Sequence, residues 1–222
     1  MIDYKSLNSD LKIYCDALDQ IEEKHYKEKQ TTLNGNEIVD TGKIRTNESS
    51  FVSELKANYK NIIEDSIGIQ DMWLQTDAPK QLIFKNDHTI KKYERTFNAV
   101  FPESKNDEFY RVPDIVFHGG PEDFTKQILI SEVKICEVLT NALFNIDLFK
   151  LSVYHDELHF KTSVLIIANQ TVGTVIRLIK DYLAQKYLLS QREGLYIVVK
   201  ESFESPSIII NPNEIKKSGR YF

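Results

Sequence analysis

Residues 111–134 read RVPDIVFHGGPEDFTKQILISEVK. Two runs in it, 114–117 and 128–134, have the length and apolar content of strands, and the GGPED segment at 119–123 can turn the chain back between them. A β-hairpin is predicted. Pro113 stands at the start of the first strand, where a missing N–H is tolerated, and Asp114 follows it. Glu132 and Lys134 flank Val133 near the end of the second strand, so both share a sheet face with Ile130. Burying a Glu and a Lys on that face without a metal or a partner would cost several kcal/mol. The pair is therefore either a strand-end salt bridge or a held site. Two carboxylates and one ammonium at a single hairpin edge are what a magnesium-dependent phosphodiester hydrolase needs: hard oxygen donors for the cation and a positive group beside the attacked phosphate.

Outward from the hairpin, the chain reads as alternating helices and strands. Residues 3–29 carry Leu7, Leu11, Tyr14, Leu18, Ile21 and His25 every three or four positions, which predicts an amphipathic helix. Residues 30–46 contain Asn34-Gly35 and a lone Gly42 and are read as a loop. A second helix is expected from about Asn47 to Ser66. The stretch 67–92 is ambiguous, with short strands or turns around Ile83 and Ile90, and a short strand is expected within 96–102. Past the hairpin, 137–154 fits a helix, KTSVLIIA at 161–168 a buried strand, 172–188 a helix, and 194–200 and 207–211 two more strands. Apolar strands flanked by helices give an α/β layer structure with a largely buried sheet.

The chain has 222 residues, 41% of them hydrophobic and 27% charged. That suits one domain of ordinary size with some elaboration. Nothing approaches the length of apolar run that spans a membrane, and MIDYKSLNSD shows no secretory signal. Cys15 and Cys136 lack metal-ligand spacing and are expected as free thiols in a reducing, cytoplasmic setting. A net charge of −5 argues against a general nucleic-acid coat protein. A local basic face is expected in 177–200, where Arg177, Lys180, Lys186, Arg192 and Lys200 outnumber Asp181 and Glu193; the alternative is a solvated helix face. No Walker loop, serine-hydrolase elbow or dinucleotide-binding glycine pattern occurs.

Pro113-Asp114 followed by Glu132-Val133-Lys134 resembles the PD-(D/E)XK nuclease superfamily, over roughly residues 47–200 and through the order of elements as well as the motif. The resemblance implies a restriction-endonuclease-like three-layer core: a mixed central sheet flanked by helices in αβββαβ order, here with an N-terminal helical extension. It divides the chain into an N-terminal helix and loop (1–46) and a nuclease-like domain (47–222). It implies DNA as substrate and Mg²⁺ as cofactor, with Mn²⁺ as a substitute. In the family the acids matching Asp114 and Glu132 bind the cation, the residue matching Val133 often adds its backbone carbonyl, and the lysine matching Lys134 positions or deprotonates the attacking water.

Many members add an acid from the helix before the sheet. At 100° per residue, Phe51, Val52, Leu55, Tyr59, Ile62 and Ile63 form one stripe; Glu48 falls within it and Glu54 about 120° away. Glu48 is the expected additional acid, with Glu54 and Glu103 as competitors. A first-turn Glu also stabilises a helix N-terminus by itself. On the helix after the hairpin, Leu139, Leu143, Ile146 and Val153 mark the expected apolar side. Lys150 and Tyr154 face the same way four residues apart. RecB-type relatives often show Gln and Tyr at that spacing, so the two are expected to bind substrate, Lys150 through a phosphate; the alternative is a lysine whose head reaches water. Trp73 is expected in a core or interface, and His118 is given no role. The rival expectation is a catalytically inactive module of the same fold that binds nucleic acid or protein, with a homodimer or a protein partner supplying affinity.

Overall fold

The computed structural model describes residues 9–34, 37–66, 72–76, 87–104, 113–119 and 126–217. In chain order the elements are α1 (Ser9–Asp19), α2 (Glu23–Tyr26), β1 (Glu28–Asn34), β2 (Glu37–Arg45), α3 (Glu48–Ser66), β3 (Trp73–Gln75), α4 (Asp87–Val100), β4 (Ile115–His118), β5 (Gln127–Ile135), α5 (Asn141–Glu157), β6 (Thr162–Ala168), α6 (Val172–Ala184), β7 (Leu195–Lys200), β8 (Ile208–Ile210) and α7 (Pro212–Lys217). Strands β3 to β8 form one six-stranded sheet in sequential order. β3, β4 and β5 run antiparallel, β5, β6 and β7 run parallel, and β8 returns antiparallel. The chain is thus α/β with a mixed, open sheet, as its apolar strands required.

The parallel crossovers fix the layers. α5 joins β5 to β6, and α6 joins β6 to β7. Both pack on the sheet face that carries Ile130, Leu165, Ile167, Ile197 and Val199. Phe97 of α4 enters the same cluster, stacking edge-on to Phe149 with ring centroids 5.8 Å apart. The opposite face carries Leu129, Val133, Val164, Ile166 and Val198 and is covered by α1, α2 and α3. Thr140 and Thr171 cap the crossover helices, each accepting a backbone N–H three residues on, from Leu143 and Thr174.

α3 follows its predicted stripe: Phe51, Val52, Leu55, Tyr59 and Ile63 are buried. Asn47 caps it through Ser50 N–H at 3.1 Å. α1 lies across α3, with Tyr14 and Tyr59 rings edge to face at 5.0 Å, and Tyr14 Oη meets Ser131 Oγ at 2.5 Å under the motif strand. The apolar face of the N-terminal helix is therefore spent on this domain's own core.

Four expectations are corrected. The helix over 3–29 is two helices within the described residues. α1 ends at Asp19, Gln20 and Ile21 close it with i→i−3 bonds to Ala17 and Leu18, and α2 is a single turn. The loop over 30–46 is an antiparallel ladder, with Thr31 opposite Asp40 and Asn34 opposite Glu37. Its β-branched run around Asn34-Gly35 is a hairpin signature, and its turn residues lie outside the described residues. The strand within 96–102 and the turn around Ile90 are one helix, α4, in which Ile90, Tyr93 and Phe97 recur at helical spacing. Ile83 lies outside the described residues. In α5 the expected apolar side holds in part: Leu139, just ahead of the helix, and Val153 are buried and Ile146 is half-buried. Leu143 is exposed, whereas Phe144, Asn145 and every residue from Asp147 to His155 are buried. A helix buried all round carries no stripe to read.

Candidate functional site

β5 outruns its antiparallel neighbour. Ladder pairing with β4 ends at Ile115 opposite Ser131, which sets Asp114 at the level of Glu132. Beyond that level β5 continues to Ile135, paired with β6 on its other side. The Asp114 carboxylate takes over where the β4 backbone stops: its Oδ2 accepts the Val133 N–H at 2.6 Å. Proline at 113 explains why the ladder ends here, since it offers no N–H to extend it.

Glu132 and Lys134 point to the α5 side of the sheet, as the alternation predicted. There they meet α5, not each other. Lys150 Nζ lies 3.0 Å from Glu132 Oε1 and 2.8 Å from Asp147 Oδ1. Lys134 Nζ lies 3.4 Å from Asp147 Oδ2, 3.5 Å from Glu48 Oε1, and donates to its own strand's Val133 carbonyl at 3.1 Å. Asp147 is therefore the bridge between the two lysines. The side chains of Glu132, Asp147 and Lys150 are all at least 95% buried. Glu48 stands at the rim from the first turn of α3, where the Asn47 cap fixes the helix start.

The ionisation pattern follows from this wiring. Burial pushes the Asp114 carboxyl up to about 6, with Lys134 and the Val133 N–H only partly offsetting it. Burial likewise raises Glu132, against the pull of Lys150 and with Asp147 and Asp114 adding repulsion. Burial opposes the charge on Asp147 too, but the two lysines prevail and hold it below the ordinary carboxylate range. Asp147 meets both lysines and Glu132 only Lys150, which is why Glu132 is the worse-served acid. Desolvation works against the Lys134 ammonium, yet Asp147, Glu48, Glu132 and Asp114 together hold it above its ordinary value. Lys150 is held charged in the same way, by Asp147 and Glu132.

Four carboxylates face two ammonium groups, so the fully ionised cluster carries an excess of two negative charges. Among the described residues no three Asp, Glu, His or Cys side chains are gathered closely enough to hold a metal as they stand; the two ammonium groups lie between the acids. The donor chemistry does fit a hard divalent cation. The anionic groups are all oxygen donors, and two buried atoms, Glu132 Oε1 and Asp147 Oδ2, make ionic contacts without hydrogen-bond geometry.

The structure thus brings together Glu48, Asp114, Glu132, Val133, Lys134 and Lys150. Glu54 is elsewhere, 3.7 Å from His25 Nε2, and Glu103 is exposed in the turn after α4. Lys150 and Tyr154, expected at the substrate, are instead 2% and 1% exposed. The lysine head neither reaches water nor faces a strand of nucleic acid; it acts on Glu132 from inside. Asp147 was missed. Its one signal is an acid flanked by Ile146 and Leu148, three residues before a lysine on the same helix.

The expected basic face is thinned: Lys180 and Lys186 are exposed, but three of its cations are engaged by the protein itself. Lys200 is buried and bonded to Asp19 Oδ1 at 2.6 Å, Arg177 pairs with Asp181 at 3.2 Å, and Arg192 donates to the His155 carbonyl. Trp73 is exposed on the edge strand, its ring edge-on to His118. No helix among the described residues is long and apolar enough to cross a membrane. No family model, no curated protein and no solved structure matches this chain.

Proposed function

We propose that the chain is a metal-dependent nuclease that hydrolyses DNA phosphodiester bonds on a restriction-endonuclease-like core. One observation carries the reading: Glu48, Asp114, Glu132 and Lys134, chosen by motif and helical phase, come from three separate elements and meet where β5 outruns β4. The helix–strand meander–helix–strand order around that point supports the fold assignment.

Glu48, Asp114, Glu132 and the Val133 carbonyl would hold Mg²⁺ or Mn²⁺, which when bound supplies Lewis-acid polarisation of the phosphate. The protein's own groups do the rest. The Val133 N–H fixes the orientation of Asp114. Lys150 holds Glu132 by one oxygen. In the metal-free cluster Asp147, Glu48, Glu132 and Asp114 favour the charged form of Lys134, and as an ammonium it donates hydrogen bonds. Its work is to orient the attacking water and to offset negative charge as it develops on the phosphate.

A second reading, a non-catalytic module of the same fold, draws on the two ammonium groups that already sit among the acids. Incubation with linear, circular and branched DNA plus Mg²⁺ separates the two. Cleavage that disappears in Lys134→Ala and in Asp114→Ala, with the fold retained by circular dichroism, supports the nuclease. Cleavage that persists in either variant, or none in the unaltered chain, removes it.

A further inference from the structure

The proposed reaction leaves one acid unused. Asp147 is 4% exposed, is held ionised, and among the described residues is the only carboxylate in contact with both lysines. Its Oδ2 is buried without a hydrogen bond, aimed at Lys134 Nζ 3.4 Å away. That ammonium is bound by oxygens from three parts of the chain: Asp147 Oδ2 on α5, Glu48 Oε1 on α3 and the Val133 carbonyl on β5. A cation already occupies this oxygen cradle, and it is the chain's own.

We propose that Lys134 and a divalent cation compete for one seat, built from Glu48, the Val133 carbonyl and Asp147, with Asp147 as a cation-binding residue of the site. The inference rests on the reading of the cluster as a metal site and deepens it by naming a further ligand and a built-in place-holder. Glu48 Oε1 and Asp147 Oδ2 lie 3.5 and 3.4 Å from the ammonium nitrogen, and a smaller, doubly charged ion would draw them closer. The strand side chain has room to yield, because Lys134 is the one lysine of the cluster with a partly open side, at 19% exposure; Lys150, at 2%, is locked beneath it. The seat also explains why two lysines are needed. Lys150 neutralises the buried half of the cluster permanently, through Glu132 and Asp147 Oδ1, and Lys134 neutralises the outer half only until a divalent ion replaces it.

The test is calorimetric titration of the full chain with Mn²⁺, for the unaltered protein, Lys134→Met and Lys134→Met/Asp147→Asn, beside reductive methylation of lysines with and without Mg²⁺ read by mass spectrometry. Removing the competitor should tighten Mn²⁺ binding about tenfold or more, in line with the removal of a unit charge some 4 Å away in a partly polar interior. The double variant should return most of that gain. Labelling of Lys134 should rise on adding Mg²⁺ while Lys150 stays protected. Equal or weaker binding in Lys134→Met, a gain kept in the double variant, or Lys134 labelling unchanged at saturating Mg²⁺ each overturns the shared seat while leaving a metal site standing. Absence of Mn²⁺ binding in all three proteins overturns the metal reading itself and this inference with it. Lys134→Gln serves where Lys134→Met folds poorly, with the same expectation.

Discussion

β5 and β6 lie side by side, parallel, and equally deep in the sheet, yet they are written in different alphabets. β6 reads TSVLIIA and every residue in it is buried. β5 reads QILISEVKI, and the register sets Glu132 against Leu165 and Lys134 against Ile167. β6 is what a central parallel strand looks like when only packing is asked of it. The same depth on β5 holds an acid and a lysine, and they persist because α5 brings Asp147 and Lys150 to them. Buried ion pairs seldom add stability over well-packed apolar residues. The difference between neighbours therefore points to something other than stability as the reason for the charges.

The comparison breaks most completely if a charge is moved across it. Leu165→Glu puts an acid on β6 in an apolar setting. It should cost more than about 4 kcal/mol and leave little folded protein, read by urea denaturation. Next in size is activity: Lys134→Ala should lower Mg²⁺-dependent DNA cleavage by roughly a hundred- to a thousandfold, with the circular dichroism spectrum retained. Third, Asp147→Leu removes the acid shared by two ammonium groups, leaving Lys150 only Glu132 and Lys134 only Glu48 among the described residues, and should cost about 3–5 kcal/mol. The combined change Glu132→Leu, Asp147→Leu, Lys150→Met makes β5 resemble β6 and should unfold no earlier than the unaltered chain, while cleavage stays absent. A triple variant less stable than Asp147→Leu would show that the cluster holds the fold together in its own right.

A smaller effect is expected from pH. Asp114 titrates at about 6 in the folded chain against an ordinary 3.8, so folding favours its protonated form. Its contribution to stability is complete below about pH 4 and is lost as the pH rises through 6. Asp114→Asn, which never ionises, should gain on the unaltered protein between about pH 4 and pH 7 in metal-free urea melts, and Mg²⁺ should narrow that gap at pH 7. Equal pH profiles for the two would remove Asp114 from the buried cluster. Smallest of all, Glu54→Gln should leave cleavage unchanged and Glu48→Gln should weaken it, which sharpens the assignment of the α3 acid.

Much of this was legible in the chain because it depends on short-range pattern. Pro113 with the two apolar runs located β4 and β5, and strict alternation put Glu132 and Lys134 on one face. The 100° step of a helix separated Glu48 from Glu54, and the structure places the first at Lys134 and the second at His25. Other parts resisted for physical reasons. In β1 and β2 the glycines outweighed the β-branched residues around them. α4 is held by Phe97 and Phe101 against Phe149, ring contacts between parts of the chain about fifty residues apart. α5 has no polar face to set against an apolar one, so its period is hidden, and Asp147 with it.

The sequence by itself determined an α/β chain, the motif hairpin and the direction of its charged side chains, since each depends on backbone period and on what proline and glycine permit. Only the tertiary structure decided who partners whom. It replaced the alternative of a Glu132–Lys134 salt bridge with two separate pairs joined through Asp147, set Lys150 in the interior beneath Glu132, and drew Lys200 of the basic stretch 177–200 onto Asp19. A buried charge takes whichever opposite charge the packing brings within about 3 Å, because the interior screens it so little, and that choice is made across the fold, between residues the chain keeps far apart.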